Sequence, residues 1–232
     1  MIVIKDLVKT FQSGNTELTV LKSLSFEIPQ GQFVAITGRS GSGKSTLLYQ
    51  MSALDNSTSG SVIIDSVNVT ELDQEHKVLF RLHNLGYIFQ DYALLPSLTA
   101  AENVMTPLLM QGKSFEEAQN LAYGALEKVG LKGKEENLPS MLSGGQQQRA
   151  SVARAIVGSP KILFADEPTA NLDTESSKTV LDLFLQLHAE GQAVIMVTHE
   201  VEYARLAERE IVLSDGVITR DQLRKKSKHT LI

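Results

Sequence analysis

The 232-residue chain contains no cysteine. That absence excludes disulfides, thiolate catalysis and cysteine-held zinc. Excess positive charge is missing too: 22 lysines and arginines stand against 27 aspartates and glutamates, a net charge of −5. The basic footprint of a nucleic-acid surface is therefore absent, and no nucleic-acid partner is expected. No apolar run approaches the roughly 18–20 residues that cross a bilayer; Ala193 to Val197 is only strand-length. The opening Met1-Ile2-Val3-Ile4-Lys5-Asp6 lacks a charged leader followed by a long apolar stretch. No signal peptide is expected, and any membrane role must come through a partner. No internal repeat or low-complexity linker stands out. The hydrophobic content of 42% suits a single globular domain spanning 1–232.

Ile2, Ile4 and Leu7 alternate as in a strand, and Leu18 to Ile28 carries two more candidate strands closed by the turn signal Pro29-Gln30-Gly31. Phe33 to Thr37 is near-continuously apolar, as a buried parallel strand is. Ser45 to Leu54 then reads as a helix and Ser61 to Val69 as a strand pair. From Asp91 to Pro160 helical patterns take over. Within Ser114 to Val129, residues Phe115, Ala118, Leu121, Ala122, Ala125, Leu126 and Val129 mark one face, and Ser114 with Glu117 fits a capping box. Ile162 to Ala165 and Val194 to Val197 are further buried-strand runs, with a helix from about Thr174 to Ala189 between them. Strands alternating with helices predict an α/β sheet. The stretch 91–160 reads as an inserted helical lobe.

Gly38-Arg39-Ser40-Gly41-Ser42-Gly43-Lys44-Ser45 fits G-x-x-x-x-G-K-[ST]. Glycines let backbone N–H groups turn inward around phosphates, and the helix that follows aims its positive end at them. Lys44 is expected on the β- and γ-phosphates and the Ser45 hydroxyl on Mg²⁺, with Thr46 completing the ATP-binding set. Kinases, GTPases and helicases share this loop, so it says only nucleoside triphosphate. A second element narrows the reaction. Lys161 to Glu167 is an apolar strand ending in two acids. Adjacent strand residues point to opposite sides, so Asp166 is expected to face the metal and Glu167 the attacking water, as general base. Solvated acids at a strand end are the plainer alternative.

Leu142-Ser143-Gly144-Gly145-Gln146 precedes Gln147-Gln148-Arg149 and a helical run. A Ser-Gly-Gly opening can present a hydroxyl and N–H donors to a second anion. One nucleotide does not need two phosphate cradles from one chain, but two facing chains could each lend one. Here the sequence resembles the ATP-binding cassette ATPases along nearly its whole length, and Leu142 to Gln146 matches that family's signature motif letter for letter. The resemblance implies a P-loop NTPase (RecA-like) core with an antiparallel β subdomain and an inserted α-helical subdomain. It implies ATP hydrolysis with Mg²⁺ and a head-to-tail homodimer in which Ser143, Gly144, Gly145 and Gln146 bind the partner's ATP. It also implies Phe11 stacked on adenine, Gln90 and Asp166 at Mg²⁺, Asp173 in the loop that crosses between subunits, and His199 at the γ-phosphate. Singly, each has another reading: Phe11 as core, Gln90 as a surface glutamine, Asp173 as a helix N-cap, His199 as a satisfied strand-end histidine.

Within the family, Gly86-Tyr87-Ile88-Phe89-Gln90, Leu94-Leu95-Pro96, Thr99 to Val104, Leu54-Asp55 with Thr58-Ser59-Gly60, and Pro107-Leu108-Leu109 look like the lipoprotein-releasing and macrolide-export group. That likeness implies integral membrane permease subunits with large extracytoplasmic domains and a place on the cytoplasmic face of a bacterial or archaeal membrane. It implies extrusion of lipoprotein, antibiotic, peptide or haem; a force-transmitting role toward a cell-wall-remodelling partner is the alternative. Ala170 and Arg39 depart from the group's usual glycine and proline. Asp91 to Leu98, apolar and proline-bounded, is expected to help form the groove that grips a short cytoplasmic helix of the permease; an internal loop packed on the helical lobe is the alternative. The basic tail Arg224 to Lys228 reads either as a solvated terminus or as a contact for anionic lipid.

Overall fold

The computed structural model describes residues 1–14 and 16–224; the tail 225–228 lies outside them. The chain forms two compact units, 1–78 with 191–232, and 79–190. Elements are numbered along the chain.

In the first unit, β1 (Ile2–Ser13) pairs antiparallel with both β2 (Thr16–Ile28) and β4 (Ser59–Ile64), and β5 (Val67–Asn68) closes the sheet in the order β2-β1-β4-β5. The two candidate strands of Leu18 to Ile28 are one strand, in register with β1 through three shifts between Ile4 and Thr10. Only its inner half alternates, with Leu21, Leu24, Phe26 and Ile28 buried. The polar outer half hides its strand character, and the shifts let two long ribbons twist together.

A second set of strands carries the site. β3 (Phe33–Thr37) lies between β8 (Ala193–Val197), its parallel neighbour, and β9 (Arg209–Ser214), also parallel; β10 (Val217–Leu223) adds antiparallel at the edge. Every residue of β3 and β8 is buried. α1 (Lys44–Met51) follows β3, stopping before the expected Leu54, and α7 (Val201–Ala204) follows β8.

Glu210 on β9 is a buried carboxylate, accepting from Thr37 Oγ1 at 3.0 Å, Arg224 Nη2 at 2.6 Å and Arg220 Nη2 at 3.2 Å. Burial works against its charge, but the Arg224 and Thr37 hydrogen bonds and the two arginine charges hold its pKa below the usual glutamate value. A depressed folded-state pKa contributes stability above the unfolded value that is lost as pH falls through the folded one. Glu210→Gln is therefore expected to lose about 2 kcal/mol at neutral pH. Its stability gap to the parent should close as the pH drops below about 4, measured by urea unfolding across that range.

In the second unit, β6 (Leu85–Ile88) and β7 (Ile162–Asp166) pair in parallel. Helices α3 (Ala100–Met110), α4 (Phe115–Lys128), α5 (Gly144–Ile156) and α6 (Thr174–Ala189) pack with them, while α2 (Gln74–Asn84) spans the change of unit in sequence. The helices α3 to α5 fall within 91–160, but the unit itself also takes in β6, β7 and α6. Ser114 caps α4 from one side only: its hydroxyl accepts from Glu117 N, while the Glu117 carboxylate is taken by Lys113 instead of returning to the cap. Full capping boxes stand at Thr99/Glu102 and Ser143/Gln146. Ala118, Ala122, Ala125, Leu126 and Val129 are buried as expected, whereas Phe115 and Leu121 are exposed at the margin of that face.

Candidate functional site

β3 runs straight into the loop 38–43. The register Ile36↔Val197 and Thr37↔Val212 brings β3, β8 and β9 to a common end, so the phosphate loop and His199 emerge at the same edge of the first unit. Gly38 sits at φ +148, and a Cβ there would lie 2.1 Å from Leu213 O and 2.8 Å from Ser42 Oγ. Gly43, left-handed at φ +99, is the N-cap of α1 and offers no side-chain cap. Lys44 is buried and bends back over the loop, donating from Nζ to Gly38 O and Arg39 O, each at 3.1 Å. Ser42 Oγ is buried with no hydrogen-bond partner among the described residues. An uncapped helix start, an orphan hydroxyl and a cation tethered only to carbonyls fit an anion, and the loop has the phosphate-cradling form its sequence predicts. Arg39, Ser40, Gly41, Ser45 and Thr46 lie along this same loop and the first turn of α1.

Phe11 is 43% exposed, which removes the core reading, and Lys9 Nζ lies over its ring, 4.8 Å from the centroid. His199 is also exposed, just beyond the end of β8, with Nε2 3.5 Å from Glu200 Oε1. Thr198 beneath it is fixed by a bond to Ile36 O and caps Glu200 N.

In the second unit the β6–β7 ladder ends at Ile88↔Ala165, and Gln90 and Glu167 each follow two residues on in sequence. Asp166 is the last residue of β7 and buried. Glu167 lies beyond the strand with φ +43, so backbone reversal, not strand alternation, sets its direction. A left-handed non-glycine residue ahead of a proline is held by its surroundings. Asp166 and the Gln90 amide are hard oxygen donors of the kind Mg²⁺ takes, in the second unit; Ser45 supplies one in the first. Among the described residues no cluster of three or more acids, histidines or cysteines could hold a metal alone.

Ser143 is the N-cap of α5, its hydroxyl accepting from Gln146 N while Gln146 Oε1 accepts from Ser143 N. The two glycines have a packing reason as well: a Cβ on Gly144 would lie 2.9 Å from Tyr92 Oη, and one on Gly145 2.4 Å from Ser176 Oγ. Asp173 caps α6, with both carboxylate oxygens accepting from Ser176. Those bonds hold its pKa below the usual value.

Four residues whose structural bonds the sequence did not show fasten this unit. Gln148, fully buried, donates to Pro168 O at 2.7 Å, tying α5 to the segment after Glu167. Arg154 donates to the carbonyls of Tyr92 and Ala93, two successive left-handed residues after Gln90. Asn171 donates to Gln90 O and Asp91 Oδ1, and Tyr92 Oη donates back to Asn171 O. Asn103 is fully buried and bonds Leu95 N and O, Leu98 O and Thr99 O. The readable signal for Asn103 and Gln148 was a polar residue at a buried-face spacing, beside Ala100 and Val104 and beside Gly145 and Val152. Asn103 thus folds 95–99 onto the start of α3, and a cavity elsewhere in this unit is lined by other residues. That cavity, ≈ 240 Å³, is walled by Leu82, Leu85, Tyr87, Pro107, Met110 and Arg154 among others. No helix among the described residues is long and apolar enough to cross a membrane.

The family model described as "ABC transporter" matches residues 21–170. The chain is 48% identical over 221 residues to the macrolide export ATP-binding/permease protein MacB of Mannheimia succiniciproducens, covering 95% of this chain and 34% of that protein. It thus spans about a third of the MacB relatives it matches. It is 40% identical to the uncharacterized ABC transporter ATP-binding protein YvrO of Bacillus subtilis, over 96% of this chain and 97% of that one. The solved dimer of the ATP-binding cassette MJ0796 in a post-hydrolysis state, bound to ADP and Pi, superposes with a TM-score of 0.92 at 37% identity, over 98% of this chain and all of that one. Such likeness over both units, on top of a phosphate loop and a signature helix built as described, makes the chain a member of the ABC transporter ATPase family, which hydrolyses ATP with Mg²⁺.

Proposed function

We propose that this chain is the motor of an extruding membrane transporter, working as a head-to-tail pair of identical subunits beneath a permease. The observation that carries the reading is a second, exposed helix start, opened by Ser143-Gly144-Gly145 and held by a capping box where the first is uncapped. α5 opens at Ser143 with an exposed cap, on a chain that already has a complete phosphate loop. A nucleotide seated on one copy's loop 38–46 leaves that opening for the γ-phosphate of the other copy's nucleotide. Lys44 and the N-terminal amides of α1 hold the phosphates, Ser45, Gln90 and Asp166 offer oxygen donors to Mg²⁺, and the bound ion offsets charge on the phosphates. Phe11 takes the adenine face. Glu167 orients water and accepts its proton, His199 donates to the γ-phosphate, and Asp173 belongs to the loop that meets the partner. The likeness to MacB supports export as the direction and the cytoplasmic membrane face as the place. The cavity walled by Leu82, Tyr87, Pro107, Met110 and Arg154 offers the apolar seat for a cytoplasmic helix of the permease.

The test is the dependence of hydrolysis on concentration. Parent protein should show specific activity that rises as the chain is concentrated. Ser143→Arg should abolish that rise while ATP affinity stays within about threefold, since its own phosphate loop is untouched and the lost cap costs only about 1 kcal/mol. Full-speed hydrolysis by dilute, unpaired chains would overturn the proposal.

A further inference from the structure

Phe11 is not a free aromatic platform. β1 slips register on both sides of Lys9, between Leu7 and Lys9 and between Lys9 and Thr10. Such irregularities re-aim side chains. Here Lys9 turns inward, its side chain largely buried, while Phe11 stays exposed. A cation carried inward this way must be paired. Lys9 Nζ meets Asp55 Oδ2 at 2.7 Å and Asn56 O at 2.7 Å, and the same atom lies over the Phe11 ring at 4.8 Å. Asp55 in turn accepts from Asn56 N at 2.7 Å and from Gln50 Nε2 at 3.0 Å. Gln50 is buried on α1, the helix whose first residue is Lys44 of the phosphate loop. A continuous polar chain therefore runs from the phosphate helix to the exposed ring.

We propose that Lys9, braced by Asp55 and Gln50, is a positioning residue for adenine: it fixes the Phe11 ring from the protein side and leaves its outer face for the base. The proposal rests on Phe11 as the adenine platform. The physical reasons are two. The cation orders a ring that would otherwise rotate in solvent. It also draws π density inward, so that the outer face repels the π cloud of a stacked purine less. The Asp55–Gln50 link sets the distance from that face to the phosphate cradle, so base and triphosphate can be held together.

The test compares ATP with inorganic tripolyphosphate, which has no base, by calorimetric titration of the full chain. Phe11→Ala should weaken ATP and leave tripolyphosphate unchanged; an unchanged ATP affinity would remove the platform reading itself. Lys9→Met, which keeps the stem and removes the charge, should weaken ATP about three- to fivefold and leave tripolyphosphate unchanged. Lys9→Arg should restore most of that loss. In a Phe11→Ala background Lys9→Met should have no further effect on ATP. With Phe11→Ala behaving as expected, any of three results overturns the brace alone. These are ATP binding by Lys9→Met at parent strength, an equal loss for ATP and tripolyphosphate, and an undiminished loss in the Phe11→Ala background.

Discussion

Glu167→Gln is expected to bind ATP as well as the parent yet lose about 10²–10⁴ in turnover, the usual worth of a positioned proton acceptor. The amide keeps the size and the hydrogen-bonding reach of the carboxylate but cannot take a proton from water. The backbone supports the assignment of a fixed direction: Glu167 leaves β7 in a left-handed turn, immediately after buried Asp166 and before Pro168. A residue held so firmly should not relocate when its charge is removed. With hydrolysis stopped, ATP should also trap the paired state, seen as a species of doubled mass on a sizing column with ATP and absent with ADP. Parent-like hydrolysis by the variant would place the base elsewhere.

Lys44→Ala should weaken ATP binding by about 10–100-fold, the loss of one charge-assisted contact in a partly enclosed site. Lys44 Nζ bends back over the loop and donates to the carbonyls of Gly38 and Arg39. Exchanging those neutral acceptors for phosphate oxygens is the gain the variant gives up. The fold should persist, because the glycine geometry of the loop is set by Leu213 and by Val20 and Leu21 packed at Gly43, not by the lysine. Equilibrium titration with ATP measures the loss, and thermal melting checks the fold. Parent-level affinity would count against the cradle.

A strand buried on both faces and a helix with one regular apolar stripe were legible with nearly correct ends. Phe33–Thr37 and Thr174–Ala189 match their elements residue for residue, because continuous apolarity and a clean helical period leave no rival conformation. β2 is one strand where the sequence suggests two, because its outer half is polar and its partner slips register, and neither fact leaves a mark in a short window. The motif residues of the two phosphate-loop and signature helices were legible because each letter answers to a backbone requirement. Residues that act by gripping distant carbonyls were not. Arg154 holds Tyr92 and Ala93 across 61 residues of sequence or more, and Lys9 reaches Asn56 across 47. A long cation in sequence looks like any solvated charge until the fold brings its acceptors to it.

One element of the second unit ties two separate proposals together mechanically. α5 has 13 residues, roughly 20 Å of rod at the rise of an α-helix. Ser143 caps one end, and Arg154, near the other, forms part of the cavity wall. Because a packed helix shifts as a rigid body more readily than it bends, a push delivered at the cavity by a docked segment would be felt as a tilt at the glycines. The chain would then behave as a lever, with Gln148 on Pro168 near its fulcrum.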